Sequence, residues 1–295
     1  MTPRLALSML HVAALLFGLT GIFGKLVAAP AVVIVCGRAL FALLALAPAS
    51  VWAGQRPWQN VSRRSLAWLA LGGVLLAGHW LTFFHAVQIG GVALATLGFA
   101  SFPALVVLLE GLLFRERIRR DEMAVVAVVT FGLILVTPSF EAGSGLAGLA
   151  WGVLSGLLFA LLSLSNRVIA ARVAPLVVAW WQNCAVLLCV LPFAATGLPA
   201  LGAADWLWLA LLGVLCTGLA HGLFVTSLAV LNARTAAAIF ALEPVYGIAI
   251  AWWLFGETPT VRMLIGGGLI VAAIVLSAQR QAKRRESVAI AATLQ

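Results

Sequence analysis

Residues 68–78 read WLALGGVLLAG and residues 208–218 read WLALLGVLCTG, an offset of 140. A second pair follows: FPALVVLLEGLLFRERI (102–118) and EPVYGIAIAWWLFGETP (243–259). A slide of 141 lays Pro103 on Pro244, Phe114 on Phe255 and Glu116 on Glu257. The chain reads as a duplication, and the duplicated pieces are apolar runs of membrane-spanning length.

Composition points the same way. Of 295 residues, 64% are hydrophobic and only 9% charged, against about 25% charged in a soluble domain. Polar breaks divide the chain into ten apolar segments: 5–24, 31–53, 65–87, 91–114, 121–138, 146–166, 174–197, 205–228, 232–255 and 261–278. Each is long enough to cross a bilayer as a helix. The links Gln88–Gly90 and Ala229–Leu231 are short enough to force antiparallel neighbours. Five spans per copy is an odd number, so the second copy inserts upside down. The predicted fold is an all-α integral membrane protein with ten transmembrane helices as two inverted five-helix repeats. They occupy residues 1–140 and 141–279, and 280–295 form a basic cytoplasmic tail. Inverted repeats mark secondary transporters that hold substrate near the midplane.

The net charge of +9 is placed by topology. With the N-terminus in the cytoplasm, the outside holds only Lys25 and Arg262, Arg38 lies within a span, and every other Lys and Arg is inside. Both termini are therefore predicted to be cytoplasmic, in a multi-pass protein of the plasma (inner) membrane. No basic groove with interleaved aromatics appears, so no nucleic acid is expected as partner. The run from Arg4 to about Phe23 ends in Gly-Lys without a small-x-small cleavage site and reads as a retained first helix. Cys36, Cys184, Cys189 and Cys216 lie in apolar segments without CxxC spacing, as buried thiols. The absence of GxSxG, HExxH, an Asp pair or a P-loop argues against an enzyme or a self-contained ATP-driven pump. No cofactor and no metal are expected.

Polar side chains inside the spans are the site candidates, because burying them is costly. Arg38 and His79 are each about 10–12 Å below the outer end of their helices by helical rise. Arg38 could bind an anionic group such as a carboxylate, or serve structurally on helix-end carbonyls. His79 shares a face with Thr82 and Phe83, and its repeat counterpart is Leu219. It is assigned to the pocket lining or a proton relay, a neutral histidine on a neighbouring carbonyl being the bland alternative. Trp80 and His85 are expected in an interfacial belt. Phe99, Phe102, Val106 and Glu110 form one stripe beside Pro103, and Phe240, Glu243, Gly247 and Ala251 its counterpart. Glu243, halfway along its span, is the first candidate for proton coupling, with His79 and His221. Glu110 is close enough to the cytoplasmic end to reach Arg115. Gln182, Asn183 and His221 are candidate polar groups of an inner pocket, and His11 a weaker one. Glycines such as those of IGGGLIVAA (265–273) suggest close packing, within a monomer or in a homodimer.

Each half also ends in a helix that starts near a proline and closes on Arg-Glu or Gly-Glu, followed by a glycine-containing last helix. Phe17-Gly18 with Lys25 closes helix one, and GRALFALLAL (37–46) lies in helix two. In these features, from about residue 5 to 278, the chain resembles EamA-type transporters of the drug/metabolite transporter superfamily. It departs from them in helix seven, where Asn183 stands near the place of Arg38. The resemblance implies alternating-access transport, often export, of amino acids and other small metabolites. The superfamily includes aromatic amino-acid exporters and, more distantly, sugar-phosphate and nucleotide-sugar carriers, so it fixes no substrate. The expected function is a secondary active, proton-linked exporter whose partners are a small-molecule substrate, protons and membrane lipid. An importer or exchanger of the same fold, and a non-transporting scaffold, are the alternatives. The expected substrate-binding residues are His79, Arg38, Phe83, Phe99, Phe102, Phe240 and Asn183.

Overall fold

A computed structural model describes residues 2–58, 61–113, 118–136, 143–169, 172–228, 231, 239 and 242–293. All its regular elements are helical. Thr2 accepts a hydrogen bond from Leu5 N and Pro3 opens the first turn, so α1 runs Pro3–Leu26. Pro30 separates it from α2, Ala31–Trp52. Ser62 caps α3, Arg63–Phe99, by accepting from Ser65 N at 3.1 Å. There follow α4 (Phe102–Leu113), α5 (Arg120–Val136), α6 (Gly143–Ile169), α7 (Pro175–Ala194), α8 (Ala203–Gly213) and α9 (Ala220–Leu228). The last two are α10 (Glu243–Phe255) and α11 (Val261–Thr293).

Six helical stretches among the described residues are long and apolar enough to cross a membrane: Pro3–Leu26, Ala31–Trp52, Arg63–Phe99, Gly145–Asn166, Pro175–Ala194 and Ala203–Phe224. Phe102–Leu113 and Val261–Leu276 are apolar but shorter. Polarity is distributed as in a membrane protein. Phe131, Ile134, Phe193, Trp253 and Leu264 are exposed, while Arg38, His79, Ser155, Gln182 and Asn183 are buried. A soluble monomer does not expose apolar surface on this scale. The chain is an all-α, multi-pass membrane protein.

Four details differ from the expected spans. Helix three does not stop at Val87. It continues through Gly90, and the break falls at Gly91, whose φ of 81° and ψ of 169° suit glycine alone. The fourth span is broken again at Ala100–Ser101. Pro103 has no N–H to continue the ladder, and Ser101 Oγ donates to Gly98 O at 2.8 Å. The eighth span contains a π-helical turn, Val214–Leu219, between α8 and α9. At the other end of the chain, α11 carries the helix on through Thr293, across most of the expected tail.

Neighbours are set by where small residues permit contact. α6 packs along α3 and against α4, and α1 packs on α8, α9 and α10. α2 packs on α7 and on α8 with its π turn, and α5 packs on α11. A methyl group on Gly18 would sit 2.9 Å from Glu243 O, and one on Gly90 would sit 2.7 Å from Gly148 Cα. The same holds at Gly98 against Leu149 O and Gly132 against Gly266 O, both at 2.8 Å. Among lipid tails, such close backbone approach, and not hydrophobic exclusion, is what joins helices.

Candidate functional site

Arg38, about a third of the way along α2, is 4% exposed. Its Nε donates to Thr217 Oγ1 at 2.9 Å. The guanidinium carbon lies 3.9 Å from the centre of the Trp80 ring and 5.8 Å from that of Phe84. Stacking on an indole face offsets part of the hydration the cation gave up. Nη1 is buried and has no hydrogen-bond partner among the described residues. The π turn supplies the Thr217 contact. Thr217 Oγ1 itself donates five residues back, to Leu212 O at 3.2 Å, which leaves its lone pairs for Arg38. α2 reaches that turn because Gly213 has no side chain: a Cβ there would lie 2.6 Å from Arg38 O.

Trp80 is therefore not in an interfacial belt. It is 5% exposed and forms the floor under Arg38. A count of residues from the span end measures depth but not which face of the helix is covered. His85 is half-buried and meets Trp151 edge-on at 5.0 Å.

One residue before Trp80, His79 is 7% exposed. Its Nδ1 lies 2.7 Å from Ser155 Oγ and 3.2 Å from Ser155 O, on α6. Ser155 Oγ in turn donates to His79 O at 3.1 Å. The imidazole sits among phenylalanines, with ring centres 5.1 Å from Phe99, 5.0 Å from Phe159 and 6.3 Å from Phe83. Phe102 stacks on Phe99 at 5.3 Å across the Ala100–Ser101 break, and meets Phe159 edge-on at 5.0 Å. The break thus turns two residues of neighbouring helices, Phe99 and Phe102, to the same place. The Arg38 guanidinium lies over the ring of the next residue in the chain, Trp80.

Glu243 opens α10, and its carbonyl is the atom that Gly18 admits. The residue is half-buried. The other candidates lie elsewhere. Asn183 is buried on α7, where its amide donates to Ala179 O at 2.8 Å and its Oδ1 has no partner among the described residues. Gln182 donates to Asn166 Oδ1 at 2.6 Å. His221, on α9, has a buried Nε2 without a partner among the described residues. His11 Nδ1 lies 3.2 Å from Tyr246 Oη. Phe240, Glu116 and Arg115 lie outside the described residues. Among the described residues no three His, Cys, Asp or Glu side chains gather as metal ligands.

Ser155, Phe159, Thr217 and Trp80 are site residues that sequence reasoning missed. One signal was present for the first two: Gly148, Gly152 and Gly156 recur every fourth residue, marking the face of α6 that meets another helix, and Ser155 adjoins it. A cluster at the end of α10 was only half anticipated. The Glu257 carboxylate pairs with Lys25 Nζ and accepts from Val92 N at 2.9 Å and Ala93 N at 3.4 Å. It thereby caps the helix that restarts after Gly91. Asp205 likewise takes Ala28 N at 2.9 Å, and Gln88 Nε2 donates to Ala29 O at 2.8 Å. The end of α1 and the residues after it are thus tied to α3, to α8 and to the loop after α10.

The sequence model of the EamA-like transporter family matches residues 4–137 and again 146–279. The uncharacterized transporter YxxF of Bacillus subtilis is 24% identical, over 90% of this chain and 87% of its own. An uncharacterized transporter of Archaeoglobus fulgidus is 26% identical, over 90% of this chain and 93% of its own. A third, PA0485 of Pseudomonas aeruginosa, is 31% identical over 40% of this chain. A solved crystal structure superposes with a TM-score of 0.62 over 95% of this chain and 98% of its own, at 19% identity, and so shares the fold.

Proposed function

Since this chain belongs to the EamA-like transporter family of the drug/metabolite transporter superfamily, and is a transporter and not an enzyme, we propose that it is a proton-linked exporter of amino acids or similar small metabolites. The observation that carries this reading is the pair Arg38 and Glu243. A buried guanidinium, whose Nη1 has no partner among the described residues, and a half-buried carboxylate that opens α10 belong to the same apolar bundle.

Such a pair fits a dipolar cargo. A carboxylate takes the free edge of Arg38, held flat between Trp80 and Thr217. An ammonium takes Glu243. A proton and the ammonium cannot occupy Glu243 together, so each displaces the other. Mutual exclusion of proton and cargo is what converts an inward proton gradient into outward cargo movement. His79, Phe83, Phe99 and Phe102 line the apolar end of the site, with Asn183 and His221 further toward the cytoplasm.

Movement follows from the repeat. Two five-helix units, 1–140 and 141–279, run in opposite senses with both termini in the cytoplasm. The double family match and the helix contacts support this. Exchanging the halves turns α1 on α8–α10 into α6 on α3–α4, and returns α2 on α7 and α5 on α11 to themselves. Contacts that exchange in this way allow inward-open and outward-open forms to be built from the same packing.

Untargeted mass spectrometry of medium and cells tests the reading. The native protein is expected to move a carboxylate-bearing amine to the medium, and Arg38→Gln to abolish that movement. A cargo lacking an acidic group would overturn the Arg38 assignment.

A further inference from the structure

His79 makes three hydrogen-bonding contacts with one residue, Ser155, and their directions follow from chemistry. Ser155 O is a carbonyl, which only accepts, so Nδ1 must carry a proton to bond it at 3.2 Å. Ser155 Oγ has one proton, and spends it on His79 O at 3.1 Å. Toward Nδ1, 2.7 Å away, Oγ is therefore an acceptor as well. Both contacts require Nδ1–H. A neutral imidazole has one N–H, and neutral is the form that an apolar cage beside the Arg38 cation accepts at least cost. Nε2 is then bare. Ser155 is fully buried, so water does not compete for these bonds. The ring is further confined by Phe99 and Phe159 at 5.1 and 5.0 Å.

We propose that Ser155 is a positioning residue that locks His79 as the Nδ1–H tautomer, making Nε2 a fixed hydrogen-bond acceptor for cargo whose flat apolar part bears an N–H or O–H donor. His79 in this role is a recognition group and not a proton carrier. The proposal rests on the reading that cargo passes the Arg38–His79 region. It adds a selection among cargoes of that region, since a donor-free analogue would leave Nε2 without a partner against the phenylalanine rings.

The tautomer can be read without any transport assay. Full-length protein in lipid nanodiscs, labelled with 15N in the histidine rings, gives a separate signal for each ring nitrogen, and His79→Gln identifies those of His79. The native spectrum is expected to show a protonated Nδ1 and a bare Nε2. Ser155→Ala keeps the carbonyl acceptor and removes Oγ, so Nδ1 is expected to stay protonated with its signal shifted from the native position. Protonated Nε2 in the native protein, or an Nδ1 signal unmoved in Ser155→Ala, overturns the lock. Indole, a flat ring with one N–H, is then titrated against 1-methylindole, which lacks it. Indole is expected to shift the Nε2 signal and to bind about tenfold more tightly, the effect of one buried hydrogen bond. Equal binding, or no shift with either compound, overturns the acceptor role. If Ser155→Ala does not fold, two His79 variants decide. Glutamine places an amide near the Nε2 position and asparagine near Nδ1, so the preference for indole over 1-methylindole should survive His79→Gln and vanish in His79→Asn. The reverse order overturns the proposal. Failure of proton-linked export would show in flux and leave these spectra unchanged, so the two readings fail separately.

Discussion

Lys25 and Glu257 look like one ion pair, yet the two residues should not be equivalent. Lys25 Nζ has the carboxylate and, 4.6 Å away, the Phe255 ring. Glu257 also caps the helix after Gly91 through Val92 N and Ala93 N. The side chains of Lys25 and Glu257 are 34% and 18% exposed, so the pair itself is worth about 0–1 kcal/mol. Loss of the cap adds about 1 kcal/mol, and loss of negative charge at a helix N-terminus about 0.3–1 kcal/mol more. Lys25→Met should therefore cost up to about 1 kcal/mol and Glu257→Ala, which removes the acceptor, about 1.3–3 kcal/mol. The double variant should fall short of the sum by about 0.5–1 kcal/mol, the coupling of the pair. Unfolding in detergent gives the energies, and amide hydrogen exchange gives the location. Exchange at Val92 and Ala93 should accelerate in Glu257→Ala and stay native in Lys25→Met. Salt near 1 M should erase most of the Lys25 effect and little of the cap. Equal losses from the two variants, or unaltered exchange at Val92 and Ala93 in Glu257→Ala, would refute the cap.

Three further outcomes follow from the site. Thr217→Val removes the acceptor for Arg38 Nε and keeps the shape, which should weaken cargo binding about tenfold; binding unchanged within twofold would separate Thr217 from the site. Glu243→Gln, which cannot exchange a proton, should leave binding measurable but make counterflow independent of the pH difference across vesicles; persistence of the pH-driven component would remove Glu243 from coupling. Gly90→Val forces side-chain atoms into the Gly148 backbone, where a Cβ alone already comes to 2.7 Å, and should cost about 1–3 kcal/mol; a thermal midpoint within a degree of native would show that α3 and α6 do not touch there.

Membrane sequence gives depth more readily than direction. Helical rise was enough to place Arg38 and His79 at one level, and the structure has the Arg38 guanidinium on Trp80, the neighbour of His79. Apolar periodicity could not say which face of α3 meets protein, because lipid and protein both accept apolar side chains. For that reason Trp80 was expected at an interface. Ser155 and Thr217 were illegible for a different reason. A hydroxyl in a helix usually bonds its own backbone, as Ser163 does with Phe159 O and Thr226 with Gly222 O. Only the partner helix distinguishes these two. Gly91 was one residue beyond the expected link, since Gly90 and Gly91 both suit a break and only Gly91 has the positive φ.

The π turn of Val214–Leu219 makes the two halves unequal. The halves align at an offset of 140 up to Gly218, so the turn holds no residue that its counterpart lacks. Residues 74–78 form ordinary helix within α3 where residues 214–218 form the π turn. A π turn bonds each N–H one residue further back than an α-helix does, so it changes the bearing of the helix that follows. The bent stretch carries Thr217 against Arg38, while Ala77 stands at the matching place in the other half. Two matched halves would give two resting orientations of equal standing; a bend and a polar contact in one half alone remove that equality.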